Sequence, residues 1–175
     1  EKWSFEVGYI RNNEAQYYTD SRLENVFQKD GVLTIRSLKE RYPLADKPAN
    51  HGREYSEYTS GSIETLGKAS WLYGRVEIRA RLPQGKGIWP AIWMMGTNIT
   101  TAGYPDCGEI DIMEYVGKEK ERVYGTIHMK RPGGGGVVSR GNNILLDRPE
   151  DQFFTYNLEW TPEKLLILFD DEPVL

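Results

Sequence analysis

Three acidic residues stand close together in the segment Glu109-Ile110-Asp111-Ile112-Met113-Glu114. Two carboxyl groups about 5–5.5 Å apart can cleave a glycosidic bond with retention, one as nucleophile and the other as general acid and base. The spacing therefore predicts a glycosidase pair formed by Glu109 and Glu114, with Asp111 between them as a hydrogen-bond partner and like charge. The alternative interpretations are a solvated acidic strand or a cation site.

Strand alternation alone does not bring the three acids together. In a regular strand, residues 109, 111 and 113 share a face, and Glu114 would point into the core with Ile110 and Ile112. A β-bulge around Ile112–Met113 inserts one extra residue and returns Glu114 to the face of Glu109 and Asp111. We therefore expect a bulge at this point.

Two tryptophans precede the acidic segment. Trp89 and Trp93 are four residues apart, so a strand over 88–95 would carry both on one face. The connection from Gly96 to Gly108 is short enough for a hairpin, which makes this strand the expected antiparallel partner of the acidic strand. Aromatic rings beside the acids would form a sugar subsite, although either tryptophan could instead pack in the core.

The elements that must position these residues are strands. Val76, Ile78, Ala80 and Leu82 alternate with charged residues, which indicates a strand with one buried face. Turn signals such as Pro83-Gln84-Gly85 separate such segments, and no stretch has a helical period. The pattern predicts an all-β sandwich, with loops over 39–54 and Gly133–Gly136. The predicted strands cover 32–38, 75–82, 88–95, 109–115, 122–128, 153–160 and 164–169.

Length and composition narrow the function classes. A chain of 175 residues fits one domain, 1–175, and its end just after a hairpin turn leads us to expect an incomplete one. The net charge of −4 argues against nucleic acid or an anionic membrane as partner, and no apolar run is long enough for a membrane span. One cysteine, Cys107, and two histidines favour neither a disulfide nor a zinc site, so we predict no metal site. We expect a monomer.

The acidic segment resembles the bulged signature of glycoside hydrolase family 16, and the chain as a whole resembles the laminarinases of that family, which are endo-1,3-β-glucanases. Further segments along the chain carry the same resemblance. They are 12–18 (NNEAQYY), Glu24-Asn25-Val26, Asp30-Gly31, 58–61 (YTSG), 73–77 (YGRVE), 87–93 (GIWPAIW), 125–128 (GTIH) and 159–162 (EWTP).

The resemblance implies a β-jelly-roll sandwich of two antiparallel sheets with a concave substrate cleft. It also implies a role for each matching residue. Glu109 is the nucleophile, Asp111 the assisting acid and Glu114 the acid/base; Asn25 and Arg75 bind glucose units on the non-reducing side; Trp89 and Trp93 are cleft aromatics; and His128 lies on the leaving-group side. Strand alternation places His128 on the same face as Tyr124 and Thr126, which agrees with a cleft position. The alternative is a surface histidine whose ring nitrogens are hydrogen-bonded and that has no role in binding.

The resemblance also fixes expectations about cofactors and completeness. No cofactor is required for this chemistry. Many relatives hold a structural calcium ion away from the cleft through ligands near both chain ends. We expect those ends to lie outside this sequence, so a calcium ion is compatible with the resemblance but unsupported by this chain. We expect the family's first and last strands to lie outside this sequence. Met129 stands where the family usually has an aromatic residue, which weakens one leaving-group contact.

The function expected from these features is a retaining endo-β-glucanase acting on β-1,3-glucan, mixed-linkage β-1,3-1,4-glucan or both. The partner would be the polysaccharide itself, and the place of action extracellular or periplasmic. Three alternatives stay open: an agarase- or carrageenase-like galactan hydrolase, a lectin-like β-glucan-binding module, and a transglycosylase. The segment 87–93 favours glucan over galactan, and the retained glutamates disfavour the lectin.

Overall fold

The computed structural model describes residues 2–175, and strands make up most of its regular structure. No helix within these residues has the length and apolar character needed to cross a membrane. The strands and the single-turn helix have the following bounds: β1 Ser4–Phe5, β2 Gln16–Tyr18, β3 Val26–Lys29, β4 Val32–Ile35, β5 Leu38–Pro43, β6 Tyr55–Ser60, β7 Ile63–Glu64, β8 Gly74–Ala80, β9 Ala91–Met95, α1 Ile99–Ala102, β10 Glu109–Tyr115, β11 Arg122–Lys130, β12 Val137–Leu145, β13 Phe154–Trp160, β14 Leu165–Phe169 and β15 Glu172–Pro173.

The chain forms two compact units, Glu1–Ser70 and Trp71–Leu175. The first unit contains a three-stranded sheet in the order β2-β6-β5 and two strand pairs, β3-β4 and β1-β7. Its β2–β6 pair is parallel, which differs from the purely antiparallel sheets that we expected. Tyr17 and Leu44 are fully buried beside Tyr9, and the Tyr17 hydroxyl donates to the carbonyl oxygen of Pro48 at 2.8 Å. This small aromatic core holds the first unit together.

The second unit is a sandwich of two four-stranded antiparallel sheets. The carboxylate sheet has the order β12-β11-β10-β9, and the companion sheet has the order β15-β14-β13-β8. Their facing side chains form one core, in which Ile112 and Val123 of the carboxylate sheet meet Leu158 and Ile167 of the companion sheet. Burying each such side chain stabilises the fold by about 1.5–3 kcal/mol. The core therefore occupies one face of each sheet and leaves the other face to solvent.

One glycine shows how closely the two sheets approach each other. A Cβ atom added to Gly125 of β11 would lie 2.9 Å from the side chain of Ile167 on β14. Such a distance is well inside van der Waals contact, so a larger residue would force the sheets apart. Gly125 thus lets the centre of the carboxylate sheet pack directly against the companion sheet.

The expected β-bulge is present in β10. On the side facing β11, Asp111 pairs with Thr126 and Glu114 with Tyr124, so three steps along β10 match two along β11. The pairing with β9 shifts by one residue at the same place. Ile112 and Met113 are both buried at the irregularity. The extra residue enters the core, and the prediction of the bulge is confirmed.

The strand predictions differ in their outcome. The bounds predicted for β10 are confirmed, and the segments predicted over 75–82, 122–128, 153–160 and 164–169 match observed strands to within two residues at either end. The segment 32–38 is divided, because β4 ends at Ile35 and β5 begins at Leu38. The predicted loop over 39–54 is wrong in its first part, which forms most of β5. Strand β12, just after the four glycines, was not predicted.

Candidate active site

The outer face of the carboxylate sheet carries the three acids in successive rows across neighbouring strands. In an antiparallel sheet, residues directly opposite each other point to the same face. The rows place Glu109 beside His128 and Met95, Asp111 beside Trp93 and Thr126, and Glu114 beside Ala91 and Tyr124. The acids therefore share a face with both His128 and Trp93.

Asp111 occupies the centre of this face and is the most enclosed of the three acids. Its relative exposure is 4%, whereas Glu109 and Glu114 are partly exposed. Burial raises the pKa of Asp111 to about 8, and the negative charges of Glu114 and Glu109 and a hydrogen bond with Glu109 act in the same direction. Asp111 is thus protonated at neutral pH and can donate a hydrogen bond.

His128 connects Asp111 to the next strand. Its Nε2 atom lies 3.0 Å from Oδ2 of Asp111, and its Nδ1 atom lies 2.7 Å from Oγ of Ser139 on β12. Both ring nitrogens are therefore engaged, which fixes the plane of the imidazole. His128 lies on the carboxylate face, as its period predicted; its role toward a leaving group stays a prediction.

The two tryptophans reach the carboxylate face in different ways. Trp93 lies within β9 directly opposite Asp111. Trp89 precedes β9 and is separated from it by Pro90, so the expectation that one regular strand carries both rings is wrong. Trp89 is 55% exposed, and its Nε1–H donates to Oε1 of Glu114 at 3.0 Å. Both rings are available beside the acids.

Asn25 uses its side-chain polar groups inside the protein. It is fully buried within the first unit. Its Oδ1 accepts hydrogen bonds from Thr19 and Arg22, and its Nδ2 donates to Thr59 and to the carbonyl oxygen of Arg36. An amide has two acceptor and two donor positions, and all four are used. Asn25 thus stabilises the first unit, and the glucose contact that the resemblance implies for it stays a prediction.

Arg75 lies on the far side of the sandwich from the carboxylates. It belongs to β8 of the companion sheet, where its guanidinium pairs with Glu159 at 2.7 Å and with Glu77 at 2.9 Å. The adjacent Val76 packs against the core, so Arg75 points outward from the companion sheet. The sandwich core separates it from the three acids, and the structure does not bring Arg75 to the predicted sugar site.

Glu109, Asp111 and His128 are also close enough to be considered as cation ligands. One ligand-type atom from each lies within 4.8 Å of the others. The Nε2 atom of His128 already contacts Asp111, and Ca²⁺ prefers six to eight oxygen ligands. The trio therefore does not offer the ligand set of a calcium site.

Tyr104 and Ser139 belong to the site but were not found from the sequence. Burial and the negative charges of Glu109 and Asp111 raise the pKa of Tyr104, which places its hydroxyl in the field of these acids. Tyr104 lies in the connection between β9 and β10, where there is no strand alternation from which to predict the direction of a side chain. Ser139 lies on the unpredicted strand β12. Gly103-Tyr104-Pro105, a turn signal around an aromatic ring, is the one pattern that could have indicated Tyr104.

Comparison with known proteins agrees with this arrangement. The model of the family described as glycosyl hydrolases family 16 matches residues 13–175. A β-glucanase of Rhodothermus marinus is 45% identical over 175 residues, which cover 98% of this chain and 57% of the relative. The solved laminarinase of the same organism is 42% identical, with a TM-score of 0.84 and coverage of 99% of this chain and 66% of the other.

A second kind of solved neighbour acts on a different glycan. An endo-acting O-glycanase of the human gut microbiota, which initiates mucin breakdown, is 34% identical with a TM-score of 0.89. The match covers 99% of this chain and 64% of that one. Together these likenesses confirm the all-β jelly-roll sandwich. The chain spans about three fifths of the length of the three proteins just named.

Proposed function

Because the chain belongs to glycosyl hydrolase family 16, we propose that it is the catalytic part of a retaining endo-β-glucanase. The substrate is β-1,3-glucan, mixed-linkage β-1,3-1,4-glucan or both. The observation that carries this proposal is the bulge of β10, because it turns Glu109 and Glu114 to one solvent-accessible face on either side of Asp111. Without the bulge, one of the two glutamates would point into the core.

In the first step, Glu109 attacks the anomeric carbon and Glu114 donates its proton to the departing glycosidic oxygen. The carbon–oxygen bond to the leaving sugar breaks as the bond to the Glu109 carboxylate forms, which gives a glucosyl ester. The Cα atoms of Glu109 and Glu114 are about 13 Å apart, which corresponds to four regular strand steps once the bulge is subtracted. Side chains that lean inward from both ends of this span shorten the separation toward the 5–5.5 Å that a retaining pair needs.

In the second step, Glu114 as carboxylate takes a proton from water, and the water oxygen attacks the same anomeric carbon. The ester bond breaks, Glu109 leaves as carboxylate, and the new reducing end has the β configuration. A protonated Asp111 assists by donating a hydrogen bond to Glu109, since the two residues are hydrogen-bonded and Asp111 holds its proton at neutral pH. In this scheme the transferred protons are donated and accepted only by the Glu114 carboxyl group and water.

Trp93, Trp89 and His128 are proposed to contact the substrate. Trp93 shares a row with Asp111, so its ring lies beside the expected position of the reacting sugar. Trp89 binds the acid/base through its indole N–H and is exposed enough to stack on a sugar face. His128 shares a row with Glu109, the other member of the catalytic pair.

A neutral glucan suits the charge of this face better than a sulfated galactan. Three acids lie on it, and its basic residues stand at the two ends of β11, where Arg122 hydrogen-bonds Asn143 and Lys130 pairs with Asp106. A polyanion would meet repulsion at the centre without an available counter-charge. The likeness to a mucin O-glycanase makes an endo-acting O-glycanase the second candidate.

The state and location of the protein follow from the same proposal. Both catalytic glutamates come from one strand, so a second copy is not needed to complete the site and a monomer suffices. A polysaccharide does not cross a membrane, and the enzyme that cuts it therefore acts outside the cell or in the periplasm.

The proposal is tested by replacing each glutamate in the full-length protein and measuring reducing ends released from laminarin, barley glucan, agarose and mucin glycans. Glu109→Gln and Glu114→Gln should each remove most activity, by about 10²–10⁴-fold for the acid/base, while the fold persists because both side chains reach solvent. Azide should restore turnover of an activated glucoside by Glu114→Ala, because azide attacks the ester without a general base and releases β-glucosyl azide. Retained activity in either Gln variant, or activity confined to agarose or mucin glycans, would refute the proposal.

A further inference from the structure

A continuous chain of hydrogen-bonding groups crosses three adjacent strands of the carboxylate sheet. Ser139 of β12 lies directly opposite His128 of β11. From Oγ of Ser139 the chain passes to Nδ1 of His128 at 2.7 Å, and from Nε2 of His128 to Oδ2 of Asp111 at 3.0 Å. Asp111 is in turn hydrogen-bonded to Glu109. Ser139 is thus three contacts away from the proposed nucleophile.

The direction of each hydrogen bond follows from counting protons. Protonated Asp111 has one proton, and its hydrogen bond with the Glu109 carboxylate uses that proton. Its Oδ2 atom must then accept from His128, which requires a hydrogen on Nε2. In a neutral imidazole the other nitrogen carries no hydrogen and is an acceptor. The Ser139 hydroxyl must therefore donate the hydrogen bond to Nδ1.

We infer that Ser139 is a positioning residue that fixes His128 as the Nε2–H tautomer and thereby holds the Asp111 proton toward Glu109. Ser139 is suited to this task because its hydroxyl group can rotate to direct its hydrogen at Nδ1. Neither the sequence signature nor the family likeness assigns a role to this serine. The structural part of the inference is independent of the proposed function, whereas its catalytic consequence rests on it.

Loss of the Ser139 hydroxyl removes the donor that keeps Nδ1 free of hydrogen. The Nδ1–H tautomer would then turn the Nε2 lone pair toward Oδ2, and Asp111 would have to direct its proton to His128 instead of Glu109. Glu109 would lose a hydrogen bond that supports its departure from the glucosyl ester. Because Ser139 does not contact the sugar in this scheme, kcat should fall while KM changes little.

The matched variants are Ser139→Thr and Ser139→Val, which have nearly the same shape and differ in the hydroxyl group. Nitrogen NMR of the full-length protein distinguishes the imidazole tautomers, with the His128 signals assigned by their loss in His128→Asn. Wild type and Ser139→Thr should show an unprotonated Nδ1 and a protonated Nε2. Ser139→Val should show a mixture of tautomers and a kcat about five-fold lower, the effect of losing one neutral hydrogen bond.

His51 serves as an internal reference, because it lies in the first unit beside Tyr9 and its signals should not change in any variant. An unchanged His128 spectrum in Ser139→Val, or an Nδ1–H tautomer in wild type, would overturn the inference. The tautomer is read without substrate, so its outcome is separate from that of the proposed function. If the wild-type protein had no glucanase activity, the proposed function would be refuted. The NMR spectrum would still decide whether Ser139 fixes the tautomer of His128.

Discussion

The three carboxyl groups of β10 have different surroundings although they lie on one strand face. Asp111 is nearly inaccessible and its pKa is raised to about 8, chiefly by burial, whereas Glu109 and Glu114 reach solvent. Environments that separate the protonation states of neighbouring acids allow them to take different roles. At neutral pH the central acid can therefore donate a hydrogen bond while a flanking acid acts as a nucleophile.

The raised pKa of Asp111 predicts a pH dependence of stability. Between the ordinary value of 3.8 and about 8, the folded protein binds the Asp111 proton more tightly than the unfolded chain does. The contribution of Asp111 is therefore full below pH 4 and is lost as the pH rises through 8. In Asp111→Asn this loss is absent, so the melting temperature of the variant relative to wild type should rise by at least about 2–4 °C from pH 4 to pH 8. Thermal unfolding at several pH values measures this difference, and a constant difference would contradict it.

The three acids of β10 were easier to predict from the sequence than the residues that surround them. Glu109, Asp111 and Glu114 could be identified because three acids on an otherwise apolar strand are unusual for a solvated face and indicate a functional site. The burial of Asn25 was not predicted, since two of its hydrogen-bond partners, Arg36 and Thr59, are distant in the sequence. Ser139 was missed because a serine is ordinary in any exposed strand, and only its pairing with His128 gives it a role.

At the scale of the strand, the bulge determines where Glu114 points. Deleting Met113 should restore plain alternation and keep all three acids on the outer face, at a cost of about 2–5 kcal/mol for the lost core side chain. Inserting one alanine after Met113 should also restore plain alternation, but it turns Met113 outward and moves Glu114 to about six strand steps, roughly 20 Å, from Glu109. The deletion variant should thus keep measurable activity, and the insertion variant should lose about 10²–10⁴-fold. Assays of both variants, with circular dichroism as the control for folding, test this; equal activities would contradict it.

The two sheets should also differ in their importance for binding. Trp93→Ala in the carboxylate sheet should weaken binding of β-glucan oligosaccharides by about 1–3 kcal/mol, by analogy with other aromatic stacking platforms. Arg75→Ala in the companion sheet is the control, because its ion pairs are exposed and lie across the core from the acids. Calorimetry should show normal binding by Arg75→Ala. Weakened binding by Arg75→Ala, or normal binding but early melting by Trp93→Ala, would reverse these assignments.

Strands with a regular apolar face in the sequence were predictable, and strands without one were not. In β8, Val76 and Ile78 alternate with exposed charges because the core lies on one side. The edge strand β12 has four successive exposed residues, Ser139 to Asn142, so alternation is weak, and pairing with β11 holds it in place. Strand β5 has Glu40 between Leu38 and Tyr42 on its less exposed face, so no regular apolar face predicts it. Hydrogen-bond partners, unlike a buried face, leave no period in the sequence.

At the scale of the whole molecule, charge and architecture both suit a neutral polymer. The net charge of −4 and the acidic outer face discourage binding of polyanions. The sandwich gives the carboxylate sheet one face for the core and one for a ligand, so a long chain could lie across successive rows of side chains. This division explains how a strand with two isoleucines and a methionine can also present three acids.

The stereochemistry of the product tests the central claim that Glu109 and Glu114 act together from one face of β10. Proton NMR during the first minutes of oligosaccharide hydrolysis, before mutarotation, reports the anomer released first. A pair about 5–5.5 Å apart leaves no room for water between the nucleophile and the anomeric carbon, so the reaction passes through the ester and the β-anomer appears first. An initial α-anomer would mean direct attack by a water held between carboxyl groups about 6.5–9.5 Å apart, and would contradict both the double displacement and the pairing of Glu109 with Glu114.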